Sequence, residues 1–228
     1  MQINNDLKLF FIRHGKLDLP YKNHDKIPFD TLADLGLEKL NPSLDEKFNI
    51  KLISKLMDIM PLNKINKIYT SPSKRCLGGA RLFVKFIKAK FDIDNIPIVI
   101  NNDLREVYFD LRLINEQQNL TKNPADVSIE KINQAVLRAM VTGKGSESVG
   151  GAYKRISDFA RLFKSDNINK DAYLIITHDF LMRVMEVYIK NKKPIVDKIS
   201  YNDLKDTKRN LYFKGFATDI SFIKFIPF

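Results

Sequence analysis

Short apolar runs alternate with longer amphipathic stretches along this chain, and the alternation predicts its secondary structure. The continuous run from Leu9 to Ile12 is typical of a strand that is buried on both faces, which we expect over residues 8–13. Similar runs predict three more strands, at residues 67–70, 96–100 and 173–177. Two late runs, 211–216 and 220–225, predict a hairpin that turns at Ala217, Thr218 and Asp219.

Apolar residues spaced three and four apart predict helices between the strands. The longest is expected over residues 73–91, and the others over 52–60, 129–140, 146–162 and 180–189. Thr31 is predicted to cap a short helix, whereas residues 111–124 are mostly polar and show no clear period. This order of elements predicts an α/β fold, a three-layer α/β/α sandwich with a largely parallel central sheet. We expect a single domain over residues 1–228, with a helical cap segment at about 107–145.

The composition indicates in which compartment of the cell the protein works. The longest apolar runs are far shorter than the roughly 20 residues that a membrane span needs, and the polar N-terminus has no signal-peptide core. One cysteine, Cys76, suits a reducing compartment. We therefore expect a cytoplasmic protein with no membrane partner.

The net charge of +11 has two interpretations: attraction to an anionic ligand, or lysines dispersed over solvated helix faces. The densest basic stretch, 190–209, lacks the interleaved arginine and aromatic residues that a nucleic-acid groove usually shows. We therefore do not expect a nucleic-acid partner, and we leave a homodimer open.

Two of the three histidines directly follow predicted strands. Arg13, His14 and Gly15 end the first strand, and Thr177, His178 and Asp179 end the fourth. Ligands of open α/β sheets bind at the carboxyl ends of the strands. A neutral histidine there can attack phosphorus, and an adjacent arginine matches phosphate oxygens. The coincidence favours a phosphate site over two unrelated histidines.

Two further segments can complete such a site. Residues 70–75 follow the second strand and open a long helix, whose N-terminus attracts anions, and Arg75 falls in its first turn. Glu106 follows the third strand, where a carboxylic acid could protonate a leaving group. Read alone, Glu106 would be a solvated loop residue.

Taken in order, these segments resemble the histidine phosphatase superfamily, also called phosphoglycerate-mutase-like, over roughly residues 8–190. The similarity lies in the whole ordered set and not in one motif: Arg13-His14-Gly15, Asp30-x-Leu32 with Gly36, Ser71-Pro72-x-x-Arg75 with Ala80, Leu104-x-Glu106, Gly145-x-Glu147-Ser148 with Arg155, and His178 followed by Met182-Arg183.

The resemblance implies roles for five of the matched residues. It implies that His14 becomes phosphorylated, that Arg13, Arg75 and His178 hold the phosphoryl oxygens, and that Glu106 serves as acid and then base. It implies no cofactor and no metal, and the sequence shows no cluster of metal ligands. Gly15, Lys16, Tyr21, Lys22 and Asp179 are expected to contact a small phosphorylated substrate, and residues 111–142 to line or cover the pocket.

Three departures bear on the choice of branch. Pro20 stands where many members have asparagine, and a double-arginine segment of the glycolytic mutases is missing. Asp179 replaces the glycine that usually follows the late histidine, and a His-Asp pair resembles the acid phosphatase branch, where the aspartate donates the proton. We favour Glu106 as the acid, because a carboxylate in the first turn of a helix is held in its charged form.

We therefore expect a metal-independent phosphomonoesterase that acts through a phosphohistidine. A phosphoglycerate-mutase-type transfer and a non-catalytic phosphate-binding module are the alternatives.

Overall fold

A computed structural model describes residues 8–21, 27–56, 60–120, 127–165, 172–191, 199–207 and 215–219. This part of the chain forms five strands and eight α-helices. The strands are β1 Lys8–Arg13, β2 Ile65–Thr70, β3 Ile98–Ile100, β4 Ala172–Thr177 and β5 Gly215–Asp219. The helices are α1 Phe29–Gly36, α2 Glu46–Leu56, α3 Lys74–Phe91, α4 Leu111–Gln118, α5 Ile129–Thr142, α6 Val149–Ser165, α7 Asp179–Asn191 and α8 Tyr201–Lys205.

The sheet has the order β3-β2-β4-β1-β5, with β4 at its centre. The pairs β1–β4, β2–β4 and β2–β3 are parallel, and β5 alone runs antiparallel, against β1. The predicted largely parallel sheet is confirmed. Its carboxyl edge brings together the ends of β1, β2 and β4, which are the strands that the candidate residues follow.

Alternate residues of the central strands enter two different cores. Leu9 and Phe11 pack with α5, α6 and α7, whereas Ile12 packs with α2 and α3 on the opposite face. On β4, Tyr173 and Ile175 enter the first core, and the intervening Leu174 enters the second. Because successive strand side chains point to opposite faces, helices cover both sides of the sheet and the three-layer sandwich is confirmed.

Three details of the secondary structure differ from what the sequence indicated. Residues 111–124 gave no helical period, yet α4 forms over Leu111–Gln118; Asp110 caps it by accepting hydrogen bonds from the backbone N–H groups of Arg112 and Leu113. Only Leu111 and Ile114 of this helix are buried, so the apolar pattern is too sparse to detect. Thr31 lies inside α1, which begins after Pro28.

The third difference concerns the hairpin predicted from residues 211–216 and 220–225. Residues 217–219, expected as its turn, pair with β1 as part of β5. Gly215 begins this strand, and a Cβ there would overlap the carbonyl group of Phe11 on β1. Glycine is therefore required by this close backbone approach. The flanking segments 208–214 and 220–228 lie outside the described residues.

Candidate active site

Two histidine rings meet at the carboxyl edge of the sheet. The ring centroids of His14 and His178 lie 5.1 Å apart, although the residues are separated by most of the chain. Two backbone hydrogen bonds tie the strand ends together: His14 N–H donates to the carbonyl of Thr177 at 2.9 Å, and Ser71 N–H donates to that of Ile176 at 3.1 Å. The structure thus brings together the two histidines that the strand-end positions singled out.

The backbone fixes the tautomer of His14. Its Nδ1 lies 2.7 Å from the carbonyl oxygen of Gly15. Since a carbonyl oxygen only accepts hydrogen bonds, Nδ1 carries the proton. The neutral ring therefore has its lone pair on Nε2, which is the form that can act as a nucleophile. His14 itself is buried, with 5% of its surface exposed.

His178 is fully buried and held by polar partners on both ring nitrogens. Nη2 of Arg75 donates to Nδ1 at 3.3 Å, which leaves Nε2–H to donate to Oγ of Ser71 at 2.9 Å. Burial lowers the pKa of His178 well below its usual range, and the charge of Arg75 and the nearby His14 add to this effect. His178 is therefore neutral at physiological pH.

The two arginines of the predicted site lie close to the histidines. Arg75 is buried in the first turn of α3, whose N-cap Ser73 accepts a hydrogen bond from the backbone N–H of Cys76. Among the described residues, Nε of Arg75 has no hydrogen-bond partner. Arg13 is the last residue of β1 and, with Arg75, lies near enough to influence the pKa of Glu106 and of His178. Two buried or half-buried cations at one sheet edge favour an anionic ligand.

Glu106 joins this cluster from the loop after β3. Its Oε1 accepts hydrogen bonds from the backbone N–H groups of Val107 at 2.9 Å and Leu181 at 3.4 Å. Burial raises the pKa of this carboxyl from 4.5 to about 7; Asp179 adds to the rise, while the Val107 hydrogen bond, Arg75 and Arg13 oppose it. A carboxyl group with this pKa can release and recover a proton near neutral pH.

Asp179, the alternative acid, is the first residue of α7 and is buried. Its Oδ2 accepts a hydrogen bond from Nε of Arg183, one helical turn later, at 3.2 Å. The carboxyl of Glu106 is instead held by two backbone N–H groups, those of Val107 and Leu181. The two carboxyl groups therefore differ in environment, and the difference favours Glu106 as the group that exchanges a proton.

The residues expected to contact substrate have different surroundings. Gly15 is buried beside His14, and Tyr21 is half-buried, while Lys22 lies outside the described residues. Nζ of Lys16 donates to Oδ2 of Asp45 at 3.0 Å, so contact between this ammonium and a substrate requires that ion pair to open. Their roles stay predictions, as do the single domain and the cap segment at 107–145.

Three contacts that support the site were not predicted, although Ser71, Glu147 and Arg155 belong to the matched motifs. Ser71 holds the ring of His178. The buried Asn49 clamps the backbone of Lys16, accepting from its N–H and donating to its carbonyl, each at 2.8 Å. Arg155 forms a bidentate ion pair with Glu147 and reaches the turn before Glu106. Glu147 and Arg155 are eight residues apart, but the other partners are distant in sequence, so no local pattern could have paired them.

A cavity of about 230 Å³ opens beside Arg75, lined also by Glu38, Leu40, Asn41, Pro72 and Ser73. A larger one, of about 640 Å³, lies over α3 and contains none of the candidate catalytic residues. Because it includes Arg75 and Ser73, the smaller cavity is the one that adjoins the chemistry. No group of three metal-ligating side chains converges anywhere in the described ranges.

Taken together, the fold and the site describe a class: an α/β protein with two histidines and two arginines at the carboxyl edge of a parallel sheet. The family described as the histidine phosphatase superfamily (branch 1) matches residues 9–197. That range is well over half of the chain, so the protein belongs to this superfamily. The prediction of a histidine-type phosphatase is confirmed at the level of the family. A comparison with curated proteins finds no match.

Solved structures share the fold at low sequence identity. A mycobacterial glucosyl-3-phosphoglycerate phosphatase superposes with a TM-score of 0.57 at 13% identity, over 90% of this chain and 88% of that one. A phosphoglycerate mutase from Bacillus anthracis gives 0.52 at 19% identity, over 96% and 95%. A putative α-ribazole-5'-P phosphatase from Escherichia coli gives 0.52 at 14% identity, over 87% and 83%. These likenesses support the fold.

No helix among the described residues is both long enough and apolar enough to cross a membrane.

Proposed function

We propose that the protein is a metal-independent phosphomonoesterase that forms a phosphohistidine on His14. The observation that carries the proposal is the hydrogen bond that orients the ring of His14. Its Nδ1–H donates to the carbonyl of Gly15 at 2.7 Å, which directs a lone pair to Nε2. A neutral, oriented imidazole beside two arginines is suited to attack phosphorus.

In the first step, Nε2 of His14 forms a bond to phosphorus as the bond from phosphorus to the ester oxygen breaks. The proton of the Glu106 carboxyl goes to the departing oxygen, so the alcohol leaves neutral. A pKa raised to about 7 by burial keeps a substantial fraction of Glu106 protonated near neutral pH, which supports this role. Arg13 and Arg75 compensate the charge on the phosphoryl oxygens.

In the second step, the Glu106 carboxylate takes a proton from water. The water oxygen bonds to phosphorus while the bond from phosphorus to Nε2 breaks. Inorganic phosphate leaves, His14 returns to its neutral form, and Glu106 is again protonated. Every proton is accounted for, so one carboxyl group serves both steps.

In this proposal, His178 can donate to the phosphoryl group only after it gives up its hydrogen bond to Ser71. Its Nε2–H donates to Ser71 at 2.9 Å, and its Nδ1 accepts from Arg75. To donate to a phosphoryl oxygen, Nε2–H must leave Ser71. Arg75 can contact the same phosphoryl group because its guanidinium carries five donors. The ring therefore changes partner when substrate binds.

The proposed substrate is a small phosphorylated metabolite in the cytoplasm. A cavity of about 230 Å³ opens beside Arg75 and has room for a small molecule, which supports this substrate class. The lone cysteine of the sequence supports the choice of compartment.

The test is a panel of phosphorylated metabolites, nucleotides and phosphopeptides incubated with wild-type protein and with His14→Ala. We expect release of inorganic phosphate by the wild type and a loss of at least about 10³-fold in turnover for the variant, the scale of removing a nucleophile. His24→Ala is the matched control, because this histidine follows no strand in the sequence. Near wild-type hydrolysis by His14→Ala would refute the mechanism.

Two other outcomes of this assay would indicate a different function. Transfer of the phosphoryl group to a second hydroxyl, without net phosphate release, would indicate a mutase. Binding of phosphate esters with no turnover of any of them would indicate a phosphate-binding module.

A further inference from the structure

The segment that carries Glu106 is held by an unusual concentration of hydrogen bonds. The carbonyl groups of three consecutive residues, 103, 104 and 105, each accept a hydrogen bond from a side chain of a distant element. Nη1 of Arg155 donates to the carbonyl of Asp103 at 2.7 Å and to that of Arg105 at 3.0 Å. Oγ1 of Thr177 donates to the carbonyl of Leu104 at 2.7 Å.

Arg155 is itself fixed on its other side. Its Nε donates to Oε1 of Glu147 at 2.8 Å, and its Nη2 donates to Oε2 at 2.6 Å. The two side chains are only 12% and 20% exposed, so solvent screens the pair weakly. A bidentate pair of this kind sets the plane of the guanidinium, which aims the remaining Nη1 at the two carbonyl groups.

Glu147 is anchored to the same loop from its backbone. Its N–H donates to the carbonyl of Tyr108 at 2.8 Å, and Asp110 N–H donates to the carbonyl of Gly145 at 2.8 Å. Glu106 thus lies between a turn held by Arg155 on one side and a strand-like contact with the Glu147 segment on the other. Neither Arg155 nor Glu147 contacts a candidate catalytic side chain through any of these bonds.

We propose that Arg155, oriented by Glu147, is a positioning residue that holds Glu106 in place for proton transfer. The inference rests on the proposed function, in which Glu106 protonates the leaving group. A shift of about 1 Å in a catalytic group is enough to cost on the order of 100-fold in rate. A turn fixed at three carbonyl groups restricts such shifts.

The experiment compares two substrates whose leaving groups differ in their need for a proton. Departure of the glycerol alkoxide from glycerol 2-phosphate needs protonation, whereas p-nitrophenolate leaves with little help. We compare kcat/KM, because it reports only the steps up to departure of the alcohol, whereas kcat also contains hydrolysis of the phosphohistidine, which both substrates share. We expect Arg155→Met to lower kcat/KM for glycerol 2-phosphate by about 10- to 100-fold and to lower kcat/KM for p-nitrophenyl phosphate much less. Glu147→Gln should give the same pattern with a smaller loss, and it decides the question if Arg155→Met does not fold.

Arg161→Met is the matched control. Arg161 lies on the same helix, α6, and pairs with Asp158 at 3.0 Å, but it is 52% exposed. We expect its activity on both substrates to stay at the wild-type level.

Two further readouts separate positioning from general structural support. In a Glu106→Gln background, Arg155→Met should add less than about twofold, because two residues that act through one group are not additive. In the wild-type background, loosening Glu106 should lower its pKa toward the ordinary value, since burial is what raises it. The pH at which hydrolysis of glycerol 2-phosphate declines should therefore move downward. The charged groups that face this carboxyl are Arg75, Arg13 and Asp179.

Equal losses on both substrates, additivity with Glu106→Gln, or an unchanged pH profile would overturn the positioning role. Failure of the proposed function has a different signature. If Glu106→Gln itself causes no leaving-group-dependent loss, the assignment of the acid is wrong. If it causes that loss and Arg155→Met does not, only the positioning inference is wrong.

Discussion

The raised pKa of Glu106 has a consequence for stability that can be measured without a substrate. The folded protein holds the proton of this carboxyl up to a pH of about 7, whereas an ordinary glutamate releases it at 4.5. Between these values the folded state binds more protons than the unfolded state, so the free energy of unfolding falls as pH rises. Glu106→Gln removes this ionisation and should therefore stabilise the protein more at pH 8 than at pH 5.

The size of the effect follows from the two pKa values. With a pKa of 4.5 in the unfolded state and about 7 in the folded state, the ionisation of Glu106 lowers the free energy of unfolding by about 2.5 kcal/mol more at pH 8 than at pH 5. The amide introduced by Glu106→Gln would still offer an oxygen to the backbone N–H of Val107, so the hydrogen bond seen at 2.9 Å can be kept. For a chain of this length, the difference amounts to about 5–10 °C in Tm.

The assay is thermal or urea unfolding of the wild type and Glu106→Gln at both pH values. We expect the change in stability caused by the substitution to become more favourable by about 2.5 kcal/mol at the higher pH. Glu147→Gln is a useful comparison, because Glu147 is paired with Arg155 and its loss should destabilise. A substitution effect at Glu106 that does not vary with pH would show that its carboxyl is ionised throughout, which would remove the basis for its role as an acid.

Three other outcomes are expected. Asp179→Asn should slow hydrolysis of alkyl phosphates less than Glu106→Gln does, because Asp179 is held by Arg183; the reverse order in a steady-state assay would exchange their roles. Activity should survive EDTA, since the sequence shows no clustered metal ligands; loss with EDTA and recovery with a divalent ion would contradict this. Gly36→Ala should cost about 1–3 kcal/mol in unfolding experiments, because its Cβ would lie 2.6 Å from the carbonyl oxygen of Phe109. Gly78→Ala, with its nearest neighbour at 3.5 Å, should be tolerated, and equal costs would argue against the close packing at Gly36.

The centre of the sheet could be predicted because β1 and β4 lie between other strands and are covered on both faces. Strands β1 and β4 are continuous apolar runs, which give a strong local signal. Edge strand β5 contains Thr218 and Asp219, polar residues typical of turns, so its pairing with β1 was not visible in the sequence. Helix α4 escaped prediction because it buries only two residues.

The same distinction applies to the site. His14 and His178 could be predicted because each follows a recognisable strand, and parallel strands bring their ends to one edge. The residues that orient His178 and Glu106 could not be paired with them from the sequence. Ser71 meets His178, and Arg155 meets the turn before Glu106, through pairings between distant segments that leave no periodic signal.

A covalent phosphohistidine on His14 is the central claim, and trapping it is the most direct test. Wild-type protein and Glu106→Gln would be mixed with p-nitrophenyl phosphate, quenched in alkali, where a phosphoramidate survives, and analysed by intact-mass and peptide spectrometry. We expect one added phosphoryl group, located on His14, lost on acid treatment and more abundant in Glu106→Gln because activation of water is slowed. Hydrolysis of the same substrate at an undiminished rate by His14→Ala, or a phosphoryl group located on another residue, would contradict the account.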